Sequence, residues 1–255
     1  MINIPRSWDE VRIDMFVELD SIDIEQFESI SAIQLERLSI LTDTSSDDDI
    51  WDDMDIRTMN KIVSDIKFLS TKPSTNLNKS LLNGDLILID FNTLTFGAFI
   101  DLEFYLKKGE NQNLHKITTV LFRKHKVDEW GNVRMEPYAN INMNTRSNMI
   151  MEECLLSQVY GALSAYKEWR EVFLTTYSTL FQPPIEDDYD KEDLSEEELF
   201  ELEEIEKEEA KMAEFGWQRM LISLSDNDFT KIDDYLEMGV VFLFNMLSVK
   251  KALKL

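Results

Sequence analysis

Cys154, His115 and His125 are the side chains in this chain best suited to nucleophilic or metal chemistry, and their spacing supports neither. The histidines stand ten residues apart with no cysteine beside either. That arrangement does not supply the four nitrogen and sulfur ligands a tetrahedral zinc takes. A Cys154–His115 pair is the one nucleophile arrangement left open, yet Met151, Leu155 and Leu156 around the cysteine read as core. The densest acidic loop, "SDDDIWDD" at 46–53, lacks the alternate spacing and the glycine of a divalent-cation loop. No glycine-rich dinucleotide or phosphate loop and no G-x-S-x-G elbow occurs. The expectation is a chain with no catalytic residue, no cofactor-binding residue and no metal ligand.

Methionine and tryptophan suggest binding instead. Met143, Met149, Met151, Met212, Met220, Met238 and Met246 gather in the second half, where a flexible, polarizable side chain suits an adaptable apolar surface or fills gaps in a core. Met212, Phe215, Trp217 and Met220 are the candidate partner-binding residues. Phe215 and Trp217 either cap their own helix or dock a partner helix.

The elements that must position these residues are mostly helical. Seven glycines and five prolines in 255 residues are few for a turn-rich β fold. Ser7 and Glu10 form an S-x-x-E capping pattern that places a helix start at Ser7. Helical spacing continues from Asp23 to Leu41, Asp55 opens a third helix, and Asn83-Gly84 within "LLNGDLILIDF" reads as a hairpin turn in a small sheet. A helix follows to about Lys108, stopped by Gly109, and a short one covers 114–123. Residues 128–144 read as loop or hairpin, before a long helical stretch from Met149 to Phe181. The fold class is therefore mainly α with a small β-sheet or hairpin.

One cassette recurs. Trp8, Val11, Phe16, Val17, Glu18 and Leu19 have the same gaps as Phe91, Leu94, Phe99, Ile100, Asp101 and Leu102. Either the chain contains an internal duplication, with units 1–72 and 81–181, or common helical spacing has produced the echo.

Residues 1–181 form the expected globular domain, 182–194 an acidic linker, and 195–255 a helical extension. Between 185 and 214 stand 16 acidic and 3 basic residues, a large part of a net charge of −24. Ser195 and Glu198 repeat the capping pattern, so a long acidic helix is expected to begin there and to become buried near Trp217. A surface this negative repels phosphate, which excludes nucleic acid and anionic membranes as ready partners. The single cysteine fits a reducing compartment, and no signal peptide or membrane span is expected.

"INIPRSWDEV", "LTFGAFIDLEFYL", "VLFRK", "DEWGN" and "MEPY" resemble segments of a family of small bacteriophage proteins, the tail assembly chaperones. The likeness covers roughly residues 1–181. Thr95 to Leu102, Leu121 to Arg123 and Glu136 to Tyr138 match its motifs, while Lys124 stands where the family usually has proline. The resemblance implies a non-enzymatic protein in the host cytoplasm that holds the long, aggregation-prone helices of the tape-measure protein during virion assembly. It carries over no catalytic residue. Rival readings are a structural subunit of the virion, such as a connector or tail-hub component, and an acidic inhibitor of a DNA-processing enzyme.

Overall fold

A computed structural model of the chain describes residues 4–45, 51, 53–180 and 216–253. The protein is mainly helical, with ten α-helices among the described residues and one four-stranded antiparallel sheet. The helices are α1 (Ile13–Asp20), α2 (Ile30–Thr42), α3 (Ile56–Asp65), α4 (Phe96–Lys107), α5 (Leu114–Leu121), α6 (Met143–Glu153), α7 (Leu156–Thr176), α8 (Gly216–Leu224), α9 (Ile232–Glu237) and α10 (Val240–Leu253). The strands are β1 (Ser80–Leu81), β2 (Leu86–Leu88), β3 (Phe122–Val127) and β4 (Val133–Met135), in the spatial order β1-β2-β3-β4. The acidic linker, the first part of the long acidic helix, Met212 and Phe215 lie outside the described residues.

The chain divides into two compact units: residues 1–91 with 101–171, and residues 92–100 with 172–255. In the first, the hairpin turns at Asn83 and Gly84, which adopt the positive φ angles of 58° and 96° that such a turn requires. Its registers are Leu86↔Lys124 for β2 on β3 and Lys126↔Arg134 for β3 on β4. Asp55 caps α3 by accepting from the N–H groups of Arg57 and Thr58. Val11, Ile13, Leu38, Leu102, Ile117, Val120 and Ile150 are fully buried in this unit. In the second, Phe96, Phe99 and Phe244 are fully buried, and Phe173 packs 4.9 Å from Phe244.

Four expectations need correction. The helical spacing from Asp23 gives a 3-10 turn at Ile24–Gln26 and an α-helix only from Ile30, and the helix expected over 114–123 ends at Leu121, where Phe122 opens β3. Ser7 does not open a helix: it leads into a single 3-10 turn, Trp8–Glu10, its side chain makes no capping bond, and α1 begins at Ile13. The Glu10 carboxylate accepts instead from the Arg6 N–H at 2.9 Å. The single helical stretch expected from Met149 is two helices over its described residues, α6 and α7, because at Leu155 the chain turns extended to bridge Arg12. There Ile13 N–H donates to the Cys154 carbonyl and Leu156 N–H to the Val11 carbonyl, bonds an unbroken helix could not make.

The same device recurs in the second unit. Thr95 bridges Gly239, Phe96 N–H donates to the Met238 carbonyl, and Val240 N–H donates to the Leu94 carbonyl. In both places a 3-10 turn, an extended bridge and a helix follow at an offset of 83 residues, Trp8–Glu10 and α1 matching Phe91–Thr93 and α4. In both, the bridge's partner residue immediately precedes a long helix, α7 or α10. Phe16 meets Tyr160 edge-on at 6.2 Å, and Phe99 meets Phe244 at the same distance and in the same manner.

Candidate protein-binding face

The correspondence between α7 and α10 picks out a surface. Aligned on their bridges, α10 residues Phe242, Met246, Val249 and Leu253 match α7 residues Gln158, Ala162, Ala165 and Trp169. In α7 these positions are covered: Ala162 is buried and the other three are half-buried. The cover is an extended segment, in which Asn78 donates its amide to the carbonyls of Ser157 and Gln158, together with Phe91, whose ring meets that of Trp169. Gly161 permits this closeness, since a Cβ there would stand 2.0 Å from the Asn76 carbonyl oxygen.

In α10 the corresponding four side chains are bare, at 59%, 54%, 53% and 63% exposure. Their spacing of four, three and four residues forms one continuous helical stripe. The opposite face holds the helix in place, where Val240, Leu243 and Phe244 are buried. At the flank of the stripe the Tyr177 hydroxyl donates to Asn245 Oδ1 at 2.8 Å. Scattered exposed apolar residues are ordinary, but four aligned on a packed helix form a contiguous patch of the kind that marks an interaction site. Asn245, Met246 and Val249 replace the small Gly161, Ala162 and Ala165 of α7. An extended backbone therefore cannot lie as close as residues 75–78 do on α7, and a partner has to interlock side chains, as a helix does.

Of the candidate partner-binding residues, Trp217 is half-buried inside its own unit, edge-on to Phe99 at 5.0 Å and to Phe96 at 6.4 Å, and Met220 is half-buried on the same helix. Composition drew attention to methionines, but the stripe itself was readable as i, i+4, i+7, i+11 spacing in "FLFNMLSVKKAL". That helix is apolar on two faces, and periodicity alone does not say which face is packed.

The residues that carry the family resemblance meet elsewhere, in a buried polar cluster of the first unit. Tyr138 donates its hydroxyl to the Asp101 carboxylate, and the Arg123 guanidinium lies 5.1 Å from the center of the Tyr138 ring. Arg146 Nη2 donates to Glu136 Oε1 at 2.9 Å, its Nη1 stands 2.6 Å from Oε2 as an ion pair, and Glu136 N–H donates to the Lys124 carbonyl. Burial raises the Asp101 carboxyl above its ordinary range, although the Tyr138 bond opposes it. Burial also raises Tyr138, reinforced by the neighboring Asp101 charge. Burial acts upward on Glu136 too, but Arg146 outweighs it and the net shift is downward. Nearby, Glu103 and Arg170 pair at 2.5 and 2.6 Å. The cluster ties α4, β3, the segment after β4, and α6 together.

Cys154 is buried with its thiol pushed up to about 11 by desolvation, the reverse of an activated nucleophile. Burial lowers His115, and no hydrogen bond joins it to Cys154 among the described residues. No three His, Cys, Asp or Glu side chains converge where they could hold a metal ion among the described residues, and no described helix is long and apolar enough to cross a membrane. Comparison of the chain with protein-family models, curated proteins and solved structures found no match.

Proposed function

We propose that this protein is a non-enzymatic assembly chaperone of a bacteriophage tail, acting in the host cytoplasm and holding apolar helices of the tape-measure protein until they assemble. The observation that carries the reading is the bare stripe of Phe242, Met246, Val249 and Leu253 on a helix otherwise locked into its unit. A helix laid along it would bury its own apolar face, the face through which it would otherwise aggregate. The net charge of −24 favors the same role: it keeps loaded complexes apart and attracts a lysine-bearing client. The recurrence of the cassette accords with an internal duplication in which the second copy has given up its intramolecular cover.

Co-expression with a bacteriophage tape-measure protein tests the proposal. The client stays soluble with the wild-type chain and precipitates with the Met246→Glu/Val249→Glu double variant. Equal solubility of the client with and without this chain would overturn it. The same bare stripe would serve a virion subunit covered by its neighbors. Mass spectrometry of purified particles separates the two: the chaperone is absent or scarce, whereas a subunit is present in stoichiometric amounts.

A further inference from the structure

The hairpin of β3 and β4 is a basic island in an acidic chain. Lys124, Lys126 and Arg134 share one face of the arm, all exposed, with Lys126 and Arg134 directly opposite each other across the strands. Like charges in that position destabilise a strand pair. Arg134 is drawn within 3.5 Å of Asp128, but neither lysine reaches a carboxylate at ion-pair distance among the described residues. On the other face Val127 and Val133 oppose each other, both more than half exposed.

The tip is built to stay in one shape. The Asp128 carboxylate accepts from the N–H groups of Trp130 and Asn132 and from the Asn132 side-chain amide, while Gly131 takes the positive φ of 83°. That turn holds Trp130 outward, at 79% exposure. A tryptophan on a held backbone has only two side-chain torsions to lose on binding and is among the residue types that most often dominate an interface. β4 is also an edge strand. Arg134 pairs inward with Lys126, so alternation leaves the backbone groups of Val133 and Met135 on the open edge.

We propose that the β3–β4 arm docks an acidic, extended segment of a partner protein, which adds as a strand along β4. Its carboxylates meet Lys124, Lys126 and Arg134, its apolar side chains cover Val127 and Val133, and Trp130 anchors its end. Symmetric pairing of two copies through β4 is disfavored, because it would bring Arg134 side chains together, the way charged edges ordinarily block self-association. Nucleic acid is a poorer fit than a short peptide: Asp128 and Glu129 adjoin Trp130, where a stacked base would bring its phosphate.

Fluorescence anisotropy with the full-length chain tests this, using a labelled ten-residue peptide of alternating Glu and Val. The expected result is binding that weakens with salt, and by about tenfold in Lys126→Glu/Arg134→Glu and in Trp130→Ala. Circular dichroism and Tm should be unchanged in Trp130→Ala, whose side chain stands clear of the core. If the double reversal fails to fold, the single Lys126→Glu gives the same reading. Three results would each overturn the proposal: an alternating Lys-Val peptide binding as well, an oligodeoxythymidine binding more tightly, or unchanged affinity in the variants.

Discussion

The Tyr138 hydroxyl holds the Asp101 carboxylate where water is largely excluded, so removing that hydroxyl leaves a buried acceptor without its donor. Tyr138→Phe should cost about 1–3 kcal/mol in urea unfolding, the penalty of an unsatisfied buried polar group. The folded Asp101 carboxyl holds its proton to higher pH than in the unfolded chain, where its ordinary value is near 3.8. Its contribution to stability is therefore complete below that value and is lost as pH rises through the raised folded one. Asp101→Asn should flatten this slope, which unfolding free energies measured across mildly acidic pH would show. Cys154 gives a second test at this scale. With the thiol pushed up to about 11 and no exposed surface, it should resist a disulfide reagent at pH 8 in the native protein and react only in denaturant. The burial of Cys154 was legible in its apolar neighbors, but the polar cluster was not: Asp101, Arg123 and the Glu136–Tyr138 pair stand in three separate segments, and only folding brings them together.

At the scale of elements, the echo between residues 8–19 and 91–102 was legible because aromatic and aliphatic anchors kept their gaps. The breaks at Leu155 and Gly239 were not legible. Helical periodicity runs on across Cys154 and Leu155, and the chain is diverted by a bridge to a residue more than a hundred positions away. Local propensity yields there to tertiary hydrogen bonds that satisfy otherwise orphaned helix-terminal groups. The turn at Asn83-Gly84 was readable because its chemistry is local. Gly161 shows the cost of disturbing the covered copy. Gly161→Ala would push a methyl group against the Asn76 backbone, which cannot rotate away as a side chain can. The expected loss is about 1–3 kcal/mol, with the 75–78 segment displaced and faster amide exchange in α7, readable by hydrogen-exchange mass spectrometry. The same position in α10 is Asn245, so no comparable approach of backbone is available there.

For the whole molecule, composition set the sign of the electrostatics before any fold was known. With 50 acidic and 26 basic residues, the folded chain confines a large excess of like charge, and compaction works against self-repulsion. Salt relieves that repulsion over a screening length of about 8 Å at physiological ionic strength, so Tm should rise with sodium chloride in differential scanning calorimetry. A lysine-bearing client drawn by the same field should bind more weakly over the same range, while the apolar contact along α10 is spared. Opposite salt trends for stability and client affinity would separate the part proposed for the anionic exterior, recruitment, from the part proposed for the stripe, holding. If both fell together with salt, attractive ion pairs rather than net repulsion would govern the fold. Client affinity that held steady with salt would instead take from the exterior its assigned part in capture, leaving the α10 face to account for binding alone.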